Sequence, residues 1–225
     1  MSEQDAGRTR DAERIRDAER TRDAILAGAE DCFARLGFDG TSLHLIGAAA
    51  GVARSTPAYF FGSKEALYDA VLERTVARGR EAMARAYAED GDQGSPEIAV
   101  ESYVGALLDF LGRDRNFVRL IQREALGDGS RVAAFFGGAV EEAVAALRPA
   151  AEKADISAER LVLNLVALCW YPFAHEHTLM PALGMNPRDA AFLEEHRRQL
   201  GDLVRAMTRP SRSQKTSAAS RPRRD

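Results

Sequence analysis

The stretch "RSTPAYFFGSKEAL", residues 54–67, places a proline, three consecutive aromatic residues and a Gly-Ser-Lys step within fourteen residues. That mixture suits neither a buried helix nor a solvated loop, so its neighbours decide what it is. Downstream, Ser63 reads as an N-cap with Glu65 in the first turn, opening a long helix through "KEALYDAVLERTVARGREAMARAYAE". Upstream, Thr41 reads as the N-cap of a short helix, "SLHLIGAAAG", with Leu43, Ile46 and Ala50 inward and Gly51 just past its end. Before that, "RDAILAGAEDCFARLGF" sets Ile25, Ala29, Cys32, Phe33 and Leu36 on one face at helical spacing, and "FDG" stops it. The quoted stretch is then a third helix, a short one following the second after about three residues. Two short helices so spaced form the helix-turn-helix arrangement.

Charge points to the same place. The chain has 225 residues, with 31 Lys and Arg against 34 Asp and Glu, a net charge of -3 that does not advertise a polyanionic partner. Yet from Gly40 to Lys64 there is no acid at all, although Asp39 and Glu65 bracket the gap. Such a surface either meets a polyanion or is simply a small, Ala-rich packed pair of helices. If it meets DNA, the third helix must present donors and flat apolar groups to the major groove while its back packs on the first two helices. Arg54, Ser55 and Thr56 stand at its N-terminal end, Tyr59 and Phe60 continue the outer surface, and Phe61 turns inward. Pro57 is tolerable only in a first turn. Lys64 is a cation at a helix start, which the macrodipole disfavours unless an anion such as a DNA phosphate sits there too; a solvated lysine is the plain alternative.

The rest of the chain is helical as well, and no β pattern competes, so the fold class is all-α. "EDGDQGS", residues 89–95, marks a hinge, and Ser95-Pro96-Glu97 opens the next helix. "RVAAFFGGAVEEAVAAL" is helix up to Pro149, Ser157 caps an apolar run from Leu161 to Ala174, and Pro187 starts a final amphipathic helix ending near Met207. The apolar run is interrupted by Asn164 and Pro172 and is too short for a membrane span; with a polar N-terminus, a cytoplasmic protein is expected. Cys32 and Cys169 make no CxxC motif and read as reduced structural thiols, with a redox pair as the other reading. His175 and His177 stand two apart, poor spacing for one helical face, so no metal, cofactor or catalytic residue is expected. The domains expected are a charged helical extension over 1–19, a DNA-binding domain over 20–75 with its helix-turn-helix at about 42–61, a helical regulatory and dimerisation domain over 76–208, and a disordered basic tail over 209–225. Within the extension, "RTRDAE RIRDAE RTRDAI", Arg8 to Ile25, is a six-residue repeat that runs into the first helix. At 100° per residue no apolar stripe forms, but Asp17 with Arg20 and Glu19 with Arg22 are i, i+3 pairs that support a solvated helix.

The segment "GFDGTSLHLIGAAAGVARSTPAYFFGSKEALYDAVL", residues 37–72, resembles the DNA-binding domain of the tetracycline-repressor (TetR) family of bacterial transcriptional regulators. The matching features are the Gly after the first helix, the Thr-Ser step, "IGAAAGV", an aromatic pair before "GSKEAL" and the long helix thereafter. The family usually has Ser where Ala53 stands and often a phosphate-contacting Tyr where Ala58 stands; Tyr59 is placed to take the latter part. The resemblance implies a homodimeric, ligand-responsive repressor on double-stranded DNA with an inverted-repeat operator, and no enzyme. It extends the DNA-contact set to Thr41, Ser42, Arg54, Ser55, Thr56, Tyr59, Phe60 and Lys64. It also favours a dimer interface of Leu161, Leu165, Leu168, Phe192, Leu200, Leu203 and Val204 over a large monomeric core. Phe110, Phe117, Phe135, Phe136, Trp170, Tyr171 and Phe173 are candidate linings for an apolar or aromatic effector of unknown identity, though each alone suits a core equally. A metal- or redox-responsive regulator, or a helical protein without DNA affinity, are the alternatives.

Overall fold

The computed structural model describes residues 3–88, 95–127 and 129–207, all of whose regular elements are helices. These are α1 (Glu3–Gly40), α2 (Leu43–Ala49), α3 (Thr56–Phe61), α4 (Lys64–Ala86), α5 (Pro96–Arg113), α6 (Arg115–Ala125), α7 (Ser130–Lys153), α8 (Ala158–Ala174), α9 (Leu179–Ala182) and α10 (Ala190–Met207). Residues 89–94 of the expected hinge at 89–95, and the expected tail at 209–225, lie outside the described residues. Two compact units divide the chain: Met1–Thr75 with Arg119–Val132, and Val76–Val118 with Ala133–Asp225. Residues 119–132, part of the regulatory domain expected over 76–208, cluster by contact with the first unit, through side chains described next.

In the first unit, Ile25, Leu26, Ala29 and Phe33 of α1 are buried with Ile46 of α2 and Leu67, Val71 and Leu72 of α4. Gly28 lets α1 and α2 touch, because a Cβ there would lie 3.0 Å from the Ala50 amide nitrogen. The last turn of α1 breaks at Gly37, whose φ of 78° and ψ of 174° belong to glycine almost alone. Two cations then bond main-chain carbonyls on either side of the break. The Arg123 guanidinium, from α6, donates to Ala34 O at 3.1 Å and Arg35 O at 2.8 Å. The Lys64 ammonium, from the first turn of α4, donates to Phe38 O at 3.0 Å and Thr41 O at 3.1 Å and lies 4.2 Å from the centre of the Phe38 ring. Two further links hold 119–132 in place: the Tyr68 hydroxyl donates to Glu124 at 2.6 Å, and Arg131 pairs with Asp69 at 2.8 Å. Burial and the Glu124 carboxylate together push the Tyr68 phenol well above its usual range.

In the second unit, α5 packs against α8 and α10. Its core joins Val100, Val104, Leu108 and Leu111 to Leu161, Leu165, Cys169 and Phe173 of α8 and to Leu200 and Val204 of α10. Phe117 is the hub of an aromatic cluster, with ring centres 4.8 Å from Phe110, 5.9 Å from Trp170 and 6.5 Å from Phe136. Arg188 closes the end of α5 by donating to Leu111 O at 3.2 Å and Gly112 O at 2.7 Å while pairing with Glu176 at 2.6 Å. Pro149 does not end α7, which continues to Lys153; the proline is exposed, so water reaches the carbonyl it leaves unpaired. Pro172 withholds an N–H from the Leu168 carbonyl, and His196 Nε2 of α10 meets that oxygen at 3.2 Å instead.

The Gly37 backbone fixes the exit from α1, so Gly37→Ala is expected to destabilise the protein by about 1–3 kcal/mol through positive-φ strain. Urea unfolding followed by circular dichroism checks this, and an unchanged midpoint would mean that the turn adapts without cost.

Candidate nucleic-acid interface

The helix-turn-helix is built by short-range chemistry. Ser42, not Thr41, caps α2: its hydroxyl accepts from the Leu45 amide at 3.2 Å, with extended backbone angles at the cap. Thr41 is 2% exposed, and its hydroxyl donates to Gly37 O at 2.7 Å. It is therefore a turn-locking residue inside the unit and not a DNA contact. Pro57 occupies the first turn of α3 and is buried, which seats the back of that helix. Phe61 is half-buried, with the Arg22 guanidinium 5.0 Å above its ring.

The outer face of α3 carries what remains. Arg54 and Ser55 are exposed, Thr56 and Phe60 are half-buried, and Tyr59 is 85% exposed with its ring edge-on to Phe60 at 5.5 Å. The Ser55 hydroxyl does not cap α3. Exposure of this degree leaves most of the Tyr59 ring and its hydroxyl open to solvent on the outer face of α3. His44 and Leu45 of α2 are also exposed, although nothing in their sequence pattern marks them as contacts. Ser63 does cap α4, accepting from the Ala66 amide at 3.1 Å. Lys64 departs from its expected role. Its ammonium is already bonded to two main-chain carbonyls, so the helix-start cation is explained by the carbonyl end of α1 rather than by a phosphate.

Two other candidate sites sit in the second unit. A cleft of about 1260 Å³ is lined by α4, α5, the start of α6 and Arg197. Phe110 is the one residue of the expected aromatic lining found there, on a floor with Ala82, Gly105 and Ala106. Phe117 and Phe173 are buried in the core, Phe136 and Trp170 close round Phe117, and Tyr171 is 51% exposed on α8; Phe135 is half-buried away from the cleft lining. The cleft walls are charged instead. Arg78 grips Asp114 through two nitrogens, at 3.1 and 2.6 Å, and Arg197 pairs with Asp109 at 2.5 Å, while Arg85 and Arg113 also line the space.

The expected dimer surface also changes. Leu161, Leu165, Leu200 and Val204 are buried within their own unit. The outward face of α8 is Leu163, Val166, Ala167, Trp170 and Tyr171, spaced i, i+3, i+4, i+7 and i+8, with Leu163 62% exposed. Leu168 and Leu203 remain partly exposed, and Phe192 stacks on His196 at 5.2 Å.

A short helix offering Arg54 and Tyr59 outward, braced on a second helix across an acid-free surface, defines a DNA-binding transcriptional regulator of the helix-turn-helix class. Comparison with known proteins narrows this. Residues 25–71 match the model of bacterial regulatory proteins of the tetR family, and residues 96–204 match the tetracyclin repressor-like C-terminal domain. The chain is 31% identical over 175 residues to the HTH-type transcriptional repressor NicS of Pseudomonas putida, across 73% of this chain and 81% of that one. It is 41% identical over 86 residues to the HTH-type transcriptional regulator RutR of Escherichia coli K12, across 38% and 39% of the two chains. Among solved structures, a TetR-like transcriptional regulator from Rhodococcus sp. RHA1 superposes with a TM-score of 0.60 at 22% identity, covering 89% of this chain and 97% of that one. The fatty acid degradation regulator FadR from Bacillus halodurans gives 0.60 at 16%, covering 80% and 97%. The chain belongs to the TetR family.

Two substitutions separate the roles assigned above. Arg54→Ala is expected to relax base preference at particular operator positions, by about 1–3 kcal/mol each, measured by competition among operator variants. Lys64→Met is expected to lower unfolding stability by about 1–3 kcal/mol through two lost charge-assisted bonds and to leave the salt dependence of DNA binding unchanged. A slope reduced by about one phosphate per subunit would return Lys64 to DNA contact.

Proposed function

We propose that the protein is a repressor that binds an inverted-repeat operator as a homodimer, acts in the cytoplasm without enzymatic activity, and is released by a small effector held in the cleft of the second unit. The observation that carries this reading is the outward apolar stripe of α8, Leu163 to Tyr171, on the same chain as a single recognition helix. A stripe of that kind needs a cover, and covering it with a second copy presents two recognition helices related by a two-fold axis. No described helix is long and apolar enough to cross a membrane. The repressor NicS supports the sign of the regulation.

The effector this cleft favours differs from a purely apolar one. Its apolar part rests on Phe110, Ala82 and Ala106, and its polar groups reach the arginines and carboxylates of the wall. A redox trigger is disfavoured, since burial raises the Cys32 thiol and pushes Cys169 up to about 12, away from reactive thiolate.

Selecting bound DNA from a random library tests the whole reading, because an enriched inverted repeat requires both DNA binding and two-fold pairing. Leu163→Glu and Leu203→Glu are each expected to give monomers by sedimentation and to lose operator binding, since an unpaired charge at an apolar contact is costly. Intact dimers from both would move the interface off α8 and α10.

A further inference from the structure

The six-residue repeat at the N-terminus takes no part in the α3 surface, the cleft or the α8 stripe. Its charges fall into two ladders of alternating sign, each step three residues long: Arg8, Asp11, Arg14, Asp17, Arg20, Asp23, and Arg10, Glu13, Arg16, Glu19, Arg22. In the structure it is not a separate arm but the first half of α1, which begins at Glu3; from Asp11 onward, where burial is described, the first buried residue is Ile25. Every side chain from Glu13 to Arg20 is exposed, Ile15 included at 60%. Among the described residues, none of these side chains from Glu13 to Arg20 is buried by the core.

The base of this helix is fastened beside the recognition helix. Arg22 stacks over Phe61, the last residue of α3, and Asp23 is held by Arg74, at 3.7 Å to its carboxylate and 3.4 Å to its carbonyl. With six residues, α3 is only about 9 Å long, so an element seated on Phe61 lies within a short distance of any duplex that receives Arg54 and Tyr59. The intrahelical pair the structure shows here is weak: Asp17 and Arg20 stand 3.5 Å apart with both side chains more than 70% exposed, and such pairs contribute a few tenths of a kcal/mol. A phosphate row carrying one charge per roughly 1.7 Å of duplex competes well for the guanidinium fork.

We propose that the N-terminal half of α1 is a second DNA-contacting element, whose arginines trade their i, i+3 carboxylates for phosphates flanking the operator half-site. Six arginines against five acids between Arg8 and Asp23 keep its attraction to DNA small until α3 is seated. The element then adds affinity where the recognition helix has already docked.

The test compares the full-length protein with Arg14→Gln/Arg16→Gln/Arg20→Gln on two duplexes carrying the library-selected operator, one ending at the half-sites and one with about ten further base pairs on each side. On the long duplex the triple variant is expected to bind more weakly, with its salt slope reduced by about one to two phosphates per subunit; on the short duplex the two proteins are expected to bind alike. Asp11→Asn/Glu13→Gln/Asp17→Asn is expected to do the reverse, tightening long-duplex binding and steepening the slope. A chain lacking residues 2–18 repeats the flank comparison with no charged helix to unfold. Equal affinity and slope on the long duplex, or an equal loss on both duplexes, would overturn the proposal.

Discussion

The C-terminal end of α1 must stop, turn and present its carbonyls to cations before any other part of the DNA-binding unit has a place. Gly37 makes the stop, the Thr41 hydroxyl locks the turn, and Lys64 and Arg123 supply the positive charge. Because Lys64 begins α4 and Arg123 lies near the end of α6, satisfying one helix end fixes where two other helices attach. The position of α2 follows from the same turn through the Ser42 cap and the close approach at Gly28. With α2 and α4 fixed, the short link from Val52 to Ser55 and the Gly62-Ser63 step leave α3 little choice of orientation. The recognition surface is thus set by hydrogen bonds to main-chain carbonyls several residues away from it.

Arginine does the same work in the second unit. Arg188 clamps Leu111 O and Gly112 O at the end of α5, as Arg123 clamps Ala34 O and Arg35 O at the end of α1. A planar guanidinium with five donors spans two adjacent carbonyls in a way a lysine cannot. Each clamp draws in a remote segment, residues 119–132 in the first unit and the loop after α9 in the second.

This explains which parts of the molecule were legible beforehand. Helices announce themselves through their own periodicity and caps, so Ser63, Ser157 and the α2–α3 pair were readable, with the cap of α2 displaced by one residue because Thr41 and Ser42 are chemically alike as caps. The exposed set Arg54, Ser55 and Tyr59 was readable because Pro57 orients so short a helix. Which of two apolar stripes faces inward was not readable on α8: Leu161 and Leu165 differ from Leu163 and Val166 only in meeting α5, and that contact is not encoded in α8 itself. The outer stripe could have been found by counting both faces at i, i+3, i+4 spacing. The aromatic residues gathered into a core rather than a cleft because Phe117 offers edges and faces to several rings at once. Lys64, Arg123 and Arg188 were opaque for a common reason: a charged side chain bonded to backbone looks, in sequence, like one in water.

The hexad at the start of α1 has a consequence for how such a helix changes over generations. Six is twice three, so gaining or losing one copy keeps both charge ladders in step while altering the length by about 9 Å. Each copy also turns the pattern by about 240°, and three copies, about five full turns, restore the original azimuth. Replication slippage at a sequence of this kind therefore yields a stepwise series of intact helices, differing in span and bearing but not in solubility, on which selection can act without disturbing the core that begins at Ile25.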